Sequence, residues 1–245
     1  MSEAVVFKPL APETIKLFLA ASTATITMQL MKRGLRQMAI NLRPINPNAA
    51  RMVGPAYTLR YIPAREDLTP PPKPTDPPNA QREAVEHAPE GAVVVVSTGG
   101  ELRSGTFGDI LAARMMVRRI AGVVSDGGMR DAPILATMNL PVFAVCPTAP
   151  PSMTSLMPVD VQRPIGCGGV PVFPNDVIVS DADGVVVVPR HLADEVARDS
   201  ADQEHIEKFI ALEVMKGKAI PGLYPPNDET RAAYKAWVAA GEPTG

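Results

Sequence analysis

Short runs of valine and isoleucine recur through the middle of the chain, and segments with helical spacing separate them. Five runs are apolar throughout instead of alternating with polar residues, which predicts strands that are covered on both faces. These runs span 92–97, 121–126, 141–146, 176–181 and 184–189. Between the first three runs, FGDILAARMMVRRI and DAPILATMN place apolar residues at helical spacing. Strands and helices in alternation predict an α/β domain with parallel crossover connections.

The two ends of the chain carry further helical patterns. PETIKLFLAASTATITMQLMKRGLRQ predicts one or two N-terminal helices that end at Gly34. VGPAYTLRYIP predicts a strand, and AQREAVEHAPEG predicts a short polar helix. Residues 191–245 begin with HLADEVARDSADQEHIEKFIALEVM, which predicts a long C-terminal helix followed by an extended tail.

The segment 63–78 is rich in proline. Six prolines between residues 70 and 78 exclude regular structure there. The segment is either a linker between domains or an excursion on the surface of one domain. We expect the excursion, because the sequence before it is short for an independent domain. The prediction is one domain over residues 1–245.

Composition and charge narrow the classes of protein. A hydrophobic content of 46% over 245 residues supplies a buried core, and the net charge of −2 comes without a long basic run. We therefore expect no nucleic-acid partner. The longest valine runs have four residues, whereas a membrane helix needs about 20 apolar residues. The opening MSEAVVFKPL lacks the basic and apolar regions of a secretory signal, so we expect a cytoplasmic protein without membrane insertion.

Cysteine and histidine give no sign of a metal site or a nucleophile. Cys146 and Cys167 have no CxxC spacing, and we expect two reduced, packed thiols. His87, His191 and His205 lack the spacing of a zinc site.

Two aspartates in SDADGVVVV precede a strand. Asp181 and Asp183 fit a tight acidic turn before Gly184. A calcium loop is the alternative, but the ligand series of an EF-hand and its terminal glutamate are missing.

A glycine-rich stretch, STGGELRSGTFGDIL, joins a buried strand to a helix, which is where α/β proteins bind ligands. It matches neither a Walker A loop nor GxGxxG. Gly108 and Asp109 stand at the predicted helix start, where free N–H groups favour an anion such as a carboxylate. The alternative is that Asp109 only caps the helix.

The stretch GVVSDGGMRDAP follows the next strand and ends with Arg130 and Asp131. A right-handed crossover would place these residues beside Asp109. The two aspartates can then share a hard cation, while Arg130 binds a carboxylate or carbonyl oxygen. The alternative is an ordinary helix cap beside a structural ion pair. We interpret the glycine pair at 127–128 as a sharp turn that presents Arg130 and Asp131 together.

Four segments in consistent order resemble the RraA-like family: GGELRSGTFGDILA, AGVVSDGGMRDAPIL, PVFAVCPTAP and GGVPVFPNDVIVSDADGVVVVP. This family includes the 4-hydroxy-4-methyl-2-oxoglutarate/4-carboxy-4-hydroxy-2-oxoadipate aldolases and the regulators of ribonuclease E activity. The likeness covers about residues 90–190, and STATITMQL resembles the family's N-terminal helix. It implies an α/β/β/α swivelling-domain fold that assembles as homotrimers or homohexamers, with active sites near subunit interfaces.

The resemblance also implies roles for individual residues. Arg130 binds a small 2-oxo acid substrate, and Asp131 holds a divalent metal, Mg²⁺ or Mn²⁺. Asp109 lies close to the metal and its waters. The loop that contacts the substrate through backbone groups consists of Gly108, Asp109, Ile110 and Leu111.

These roles fit a lyase that cleaves a carbon–carbon bond of a 2-oxo acid through a pyruvate enolate. Aldolase and oxaloacetate decarboxylase activity would both follow from such a site, since a Lewis acid and Arg130 stabilise the same enolate. We hypothesise that a water ordered by Asp109 carries the proton. The alternatives are a non-catalytic regulator that binds ribonuclease E or a related partner, and another enolate-forming reaction on this scaffold.

The chain departs from the family pattern at its ends. Met28 stands near the usual aspartate of the N-terminal helix. Family aldolases can receive an acidic group from a neighbouring subunit's C-terminal helix, for which Glu204 and Glu207 are the nearest candidates; both can equally be solvated. The excursion and the C-terminal tail lengthen the chain, so the substrate can differ from that of compact members.

Overall fold

The computed structural model describes residues 5–70, 73 and 77–243, which form a mixed α/β fold. The helices in these ranges are α1 (Pro12–Ala20), α2 (Thr23–Lys32), α3 (Ala80–His87), α4 (Asp109–Val117), α5 (Ala132–Leu135), α6 (Ala193–Met215) and α7 (Asp228–Ala239). The strands are β1 (Ala39–Ile40), β2 (Arg43–Pro44), β3 (Met52–Pro63), β4 (Val93–Ser97), β5 (Gly122–Ser125), β6 (Gly128–Met129), β7 (Val142–Ala144), β8 (Cys146–Pro147), β9 (Leu156–Val161), β10 (Ile165–Cys167), β11 (Val170–Val172), β12 (Val177–Asp181) and β13 (Gly184–Val188).

The largest sheet is built around the long strand β3. Its strand order is β1-β13-β12-β3-β4-β5-β7-β2, and β9 pairs with the far end of β3. The first residues of β3 pair antiparallel with β12, whereas the stretch from Ala56 to Arg60 runs parallel to β4. β4, β5 and β7 continue the parallel part. The parallel crossovers predicted from the valine runs are therefore confirmed.

Side chains of β4 supply both faces of the parallel part. Val94 and Val96 pack with α3, α4 and α5, while Val93 and Val95 face the β10–β11 hairpin and β13. All four valines are completely buried, and each contributes about 1.5–3 kcal/mol by its burial. Because successive residues of a strand point to opposite faces, only an apolar run satisfies both layers.

The other helical layer joins both ends of the chain. α1, α2 and α6 cover β12 and β13 through a cluster that includes Phe18, Ile26 and Val196. The N-terminal pattern thus forms two helices, and α2 is followed by Gly34 in the left-handed region at φ 81°. Ser22 caps α2, since its side chain accepts the N–H of Thr25 at 3.1 Å.

The long C-terminal helix is confirmed as α6, which has 23 residues. The prediction of an extended tail after α6 is wrong in part, because this segment leads into a further helix, α7. Asn227 caps α7, and Phe209, Leu223 and Trp237 form a small core between α6 and α7. The sequence pattern does not predict this helix, since prolines 225 and 226 interrupt the helical spacing directly before its cap.

The proline-rich excursion begins at Pro63, where β3 ends. Within 64–70, 73 and 77–79, the structure has turns and irregular chain but no helix or strand. The remaining residues of the excursion lie outside the described part. In the described ranges, every helix is too short or too polar to cross a membrane.

Candidate active site

Two loops leave the same edge of the sheet because their strands are parallel neighbours. The first loop (residues 98–108) follows β4, and the second loop (residues 126–131) follows β5. Backbone hydrogen bonds join them: the N–H of Thr106 donates to Gly128 O at 3.0 Å, and the N–H of Arg130 donates to Phe107 O at 2.8 Å. The predicted neighbourhood of the glycine-rich stretch and the Arg-Asp pair is therefore present.

Glycines let the two loops touch. A Cβ on Gly105 would lie 2.6 Å from Arg130 Cγ, and a Cβ on Gly108 would overlap Asp131 Oδ2. Gly127 and Gly128 likewise face the first loop, yet neither has a left-handed φ. The chain bends at Asp126 and Gly127, as we interpreted the glycine pair, and a side chain at either glycine would also collide with the neighbouring segments at Thr98 and Thr148.

Asp131 has an unusual backbone conformation, with φ 55° and ψ 35°. A non-glycine residue in this region costs about 1–3 kcal/mol, although aspartate tolerates it better than most residues. Asp131 precedes α5, but its side chain makes no capping hydrogen bond there. Instead, Oδ2 accepts the backbone N–H of Asp109 at 3.3 Å. The strained conformation thus directs the carboxylate across to α4.

Arg130 is half-buried between the loops. Its Nε is buried and has no hydrogen-bond partner in the described structure, and leaving such a donor unpaired costs about 1–3 kcal/mol. Arg130 forms none of the ion pairs found among the described residues, and neither does Asp131. The described residues thus contain neither the structural ion pair of the alternative nor a cap of α5, and the Asp131 carboxylate accepts a helix-start N–H only at α4.

The start of α4 completes the site. Gly108 is the residue before the helix and supplies no side-chain cap. Asp109 is the first helical residue, and its Oδ1 accepts the N–H of Ile110 at 2.7 Å. The side chain of Ile110 points outwards with 75% of its surface exposed, whereas Leu111 packs against the core. Leu111 can therefore reach a ligand only through its backbone, and the N–H of Ile110 is already bonded to Asp109.

The carboxylates of Asp109 and Asp131 decide which metal would fit. Among the described residues, no three histidine, cysteine, aspartate or glutamate side chains are arranged to hold a metal ion. Mg²⁺ commonly binds through one or two carboxylates together with water and substrate oxygens, and the same hard oxygen ligands suit Mn²⁺. The pair fits such an ion and does not fit a zinc site or a calcium cage.

The side chain of Asp181, at the turn between β12 and β13, accepts hydrogen bonds from the start of α2. Asp181 accepts hydrogen bonds from the N–H and the hydroxyl of Thr23, both at 2.7 Å, and from the N–H of Asp183 at 2.9 Å. Burial raises the pKa of Asp181, but these hydrogen bonds and Arg51 outweigh it, so the pKa lies below its ordinary range. The predicted turn is confirmed.

Glu204, Glu207 and Met28 lie on the surface that α2 and α6 form. Glu204 accepts the N–H of Ser22 in its own chain at 2.9 Å, and Glu207 accepts a hydrogen bond from Gln203 at 2.7 Å. Met28 is 40% exposed and lines a groove of about 880 Å³ with residues of α6 and the segment before α7. Glu204 thus stabilises the start of α2.

Sequence reasoning missed two residues that shape the loops, Gly105 and Asp126. Asp126 is buried at the end of β5 and accepts the N–H of Thr98 at 2.6 Å. The signal was present, since a carboxylate directly after a run of buried valines needs partners from a neighbouring segment. Gly105 has no signal beyond its place in a glycine-rich loop.

The cysteines are free thiols. Burial raises the pKa of the Cys167 thiol, and the negative charge of Asp126 adds to the effect. Cys167 is thus an unreactive, packed thiol, as expected.

Comparison with known proteins agrees with this architecture. Residues 23–187 match the family model described as RraA-like, Aldolase/RraA. A protein of Halalkalibacterium halodurans, provisionally named a 4-hydroxy-4-methyl-2-oxoglutarate aldolase, is 32% identical over 191 residues, or 76% of this chain and 84% of that protein. A Xanthomonas campestris protein with the same provisional name is 37% identical over 117 residues, or 47% of this chain and 69% of that protein.

Two solved structures share the fold. RraAS2 from Streptomyces coelicolor, described as an unusual member of the RNase ES inhibitor RraA protein family, superimposes with a TM-score of 0.74 at 30% identity, covering 83% of this chain and 98% of that chain. An uncharacterized protein from Pseudomonas syringae pv. tomato gives a TM-score of 0.76 at 25% identity, covering 89% of this chain and 100% of that chain.

Proposed function

The chain belongs to the RraA-like family, and from that premise we propose that it is a lyase that cleaves a carbon–carbon bond of a 2-oxo acid and releases pyruvate. The substrates we propose are oxaloacetate and acids of the 4-hydroxy-4-methyl-2-oxoglutarate type. We further propose that the reaction uses a divalent cation, Mg²⁺ or Mn²⁺. Relatives provisionally named as aldolases support the reaction class.

One observation carries the proposal: Arg130 and Asp131 pack against the loop that begins α4, and neither forms an ion pair among the described residues. The Arg130 Nε is a buried donor without a partner, and Asp131 Oδ2 lies beside the N–H of Asp109. An unpaired arginine in the same pair of loops as two carboxylates suits a ligand that is both an anion and a metal chelator. A 2-oxo acid has these properties, since its carboxylate and oxo oxygens lie side by side.

Substrate binding falls to Arg130. Its guanidinium can hold the carboxylate of the 2-oxo acid through charge-assisted hydrogen bonds, which lysine cannot reproduce with the same planar geometry. When the bond between C3 and C4 breaks, its electron pair forms the enolate of pyruvate and negative charge develops on the oxo oxygen. A fixed positive charge close to that oxygen lowers the barrier because it is already in place.

Asp131 and Asp109 would hold the divalent cation, with Asp131 as its direct ligand. When bound, the cation would supply Lewis-acid stabilisation of the developing negative charge. The left-handed backbone of Asp131 fixes the direction of its carboxylate before substrate binds.

Asp109 would move the proton. In aldol cleavage the hydroxyl at C4 loses a proton, and the enolate then gains one at C3 to give pyruvate. In decarboxylation the second product is carbon dioxide, and only the protonation at C3 remains. The Asp109 carboxylate, held at the helix start by the N–H of Ile110, would order the water that carries this proton.

We also propose that the protein is a homo-oligomer, a trimer or a hexamer. α4 exposes Ile110 at its start, beside the site, and Met116 and Val117 at its other end, and α5 exposes Ile134. The same face carries Arg114, which is paired with Glu86, and large exposed apolar side chains around such a pair are expected to be covered by another surface. A second copy of the chain on this face would also shield the site from water.

A second candidate function is the binding of a ribonuclease as a regulator. The likeness to RraAS2, at 30% identity over 98% of that chain, favours it. Such a role requires neither the strained Asp131 nor the unpaired donor of Arg130, and for this reason we place it second.

The experiment is an assay of pyruvate release from oxaloacetate and from 4-hydroxy-4-methyl-2-oxoglutarate, with Mn²⁺ or Mg²⁺ and with excess chelator. We expect turnover of at least one acid that stops when the metal is removed. Turnover that persists in chelator contradicts the metal-dependent mechanism. Absence of turnover together with tight binding to ribonuclease E supports the regulator, and turnover of only a different oxo acid supports another enolate reaction on this scaffold.

A further inference from the structure

Asp126 is a buried carboxyl group that the proposed reaction does not use. It follows β5 directly and is only 7% exposed. Asp126 stands five residues before Asp131, at the other end of the second loop.

The side chain of Asp126 joins three segments of the chain. Its Oδ1 accepts the N–H of Thr98 at 2.6 Å and the Thr98 hydroxyl at 2.9 Å. Its Oδ2 accepts the N–H of Gly168 at 3.3 Å. Thr98 opens the first loop, and Gly168 lies in the turn of the β10–β11 hairpin, so one carboxylate connects both site loops to this hairpin.

These partners are N–H and O–H groups, and no Lys, Arg or His of the described ranges forms an ion pair with Asp126. Burying a carboxylate without a cation is costly, and several hydrogen bonds are needed to offset that cost. A polar group kept in such surroundings stabilises one arrangement of its neighbours more than it stabilises the fold as a whole.

The contacts between the two loops continue from Asp126 to Arg130 and Asp131 at the other end of the second loop. A Cβ on Gly127 would lie 2.7 Å from Thr98 Cγ2 and 3.0 Å from Glu101 O, so the loops are in contact directly beside Asp126. The contact continues through Gly105 with Arg130 and ends where Asp131 meets Asp109. A shift at Thr98 would therefore move the start of α4 relative to Asp131.

We propose that Asp126 is a positioning residue that sets the register between the two loops and thereby the distance of Arg130 and Asp131 from the start of α4. This inference rests on the proposed function for its effect on turnover. Its effect on loop order does not depend on the substrate.

The test compares Asp126→Asn with Asp176→Asn in the full-length protein. Asp176 is a matched control, since it is 8% exposed and accepts two backbone N–H groups, from Phe173 at 2.8 Å and from Arg190 at 3.3 Å, in a turn between other elements. Asp126→Asn replaces one carboxylate oxygen with an NH2 group. This group then faces one of the two N–H partners, and because both are donors, that hydrogen bond is lost. We measure kcat and KM for oxaloacetate with Mn²⁺, the melting temperature, and hydrogen exchange of peptides covering both loops.

We expect both variants to lose some thermal stability. Only Asp126→Asn should lower kcat, by about tenfold to a hundredfold, with a smaller change in KM, because misplacement of about 1 Å affects the transition state most. Only this variant should speed hydrogen exchange in residues 98–108. If Asp126→Asn does not fold, Thr98→Val removes one of the three hydrogen bonds and should give a smaller effect of the same kind.

Equal kcat and equal exchange in the two folded variants would overturn the proposal. If wild-type protein turns over neither 2-oxo acid, the proposed reaction fails, but the exchange comparison still decides the role of Asp126. Faster exchange in the first loop confined to Asp126→Asn would then support it, and unchanged exchange would overturn it.

Discussion

The carboxylate of Asp131 faces the first residue of α4, where its Oδ2 accepts the backbone N–H of Asp109 at 3.3 Å. The two residues follow different strands and are 22 positions apart. Their proximity follows from the parallel pairing of β4 and β5, and the positive φ of Asp131 directs its side chain into the gap between the loops. The proposed chemistry depends on this one contact more than on any other.

The contact between Asp131 and Asp109 requires that residue 108 has no side chain. A Cβ there would overlap Asp131 Oδ2, so Gly108→Ala should displace the carboxylate and weaken Mn²⁺ binding by about tenfold or more, since such support for a metal ligand is typically worth that much. The control is Gly166→Ala, because a Cβ on Gly166 would meet open space. Titration with Mn²⁺ measures both variants. Equal affinity would show that the carboxylate does not need its observed position.

Arg130→Lys tests the guanidinium. Lysine keeps the charge but loses the planar pair of donors, and a hydrogen bond to a charged group is worth about 1.5–3 kcal/mol. KM for oxaloacetate should therefore rise about tenfold to a hundredfold. The melting temperature should change little, because Arg130 forms no ion pair within the described part of the chain and its Nε is unpaired. Loss of the fold would instead indicate a structural role.

Much of this fold follows from the sequence, because a run such as Val93–Ser97 fits only a strand that is buried on both faces. The neighbourhood of Asp109 and Asp131 follows from crossover topology together with the family resemblance. The direction of the Asp131 side chain does not, since it depends on a left-handed backbone that no residue pattern specifies for aspartate. For Asp126 the sequence shows that a buried carboxylate needs partners, but not which ones, because Thr98 and Gly168 come from segments that only tertiary packing brings together.

Asp181 predicts an acid-sensitive attachment of α2. Its folded-state pKa lies below the ordinary value of 3.8, because hydrogen bonds from Thr23 and Asp183 and the charge of Arg51 outweigh the opposing effect of burial. A lowered folded pKa stabilises the fold above the ordinary value, and this stabilisation is lost as the pH falls through the folded pKa.

Asp181→Asn should therefore lower the melting temperature at pH 7, and its difference from wild type should shrink at pH 3. Thermal unfolding at both pH values measures this. Asp183→Asn, an exposed change in the same turn, serves as control and should have little effect at either pH. A difference for Asp181→Asn that is independent of pH would contradict the account.

The exposed apolar side chains of α4 predict that one charged substitution on this helix disrupts the oligomer. Val117→Asp should shift the protein towards monomer in size-exclusion chromatography with light scattering, because the carboxylate would be buried at the interface. Val6→Asp is the control, since Val6 and Val117 are both 74% exposed. If both variants keep the mass of wild type, the face of α4 is not the contact surface.

Binding of Mn²⁺ to wild-type protein and to Asp131→Asn, followed by the electron paramagnetic resonance signal of free Mn²⁺, tests the central claim most directly. Asparagine tolerates the left-handed backbone at this position, so the variant should keep its melting temperature while removing the charged ligand. We predict that wild-type protein binds Mn²⁺ and that Asp131→Asn binds it at least about tenfold more weakly. Equal affinity in a folded variant would contradict Asp131 as the metal ligand and, with it, the proposed site.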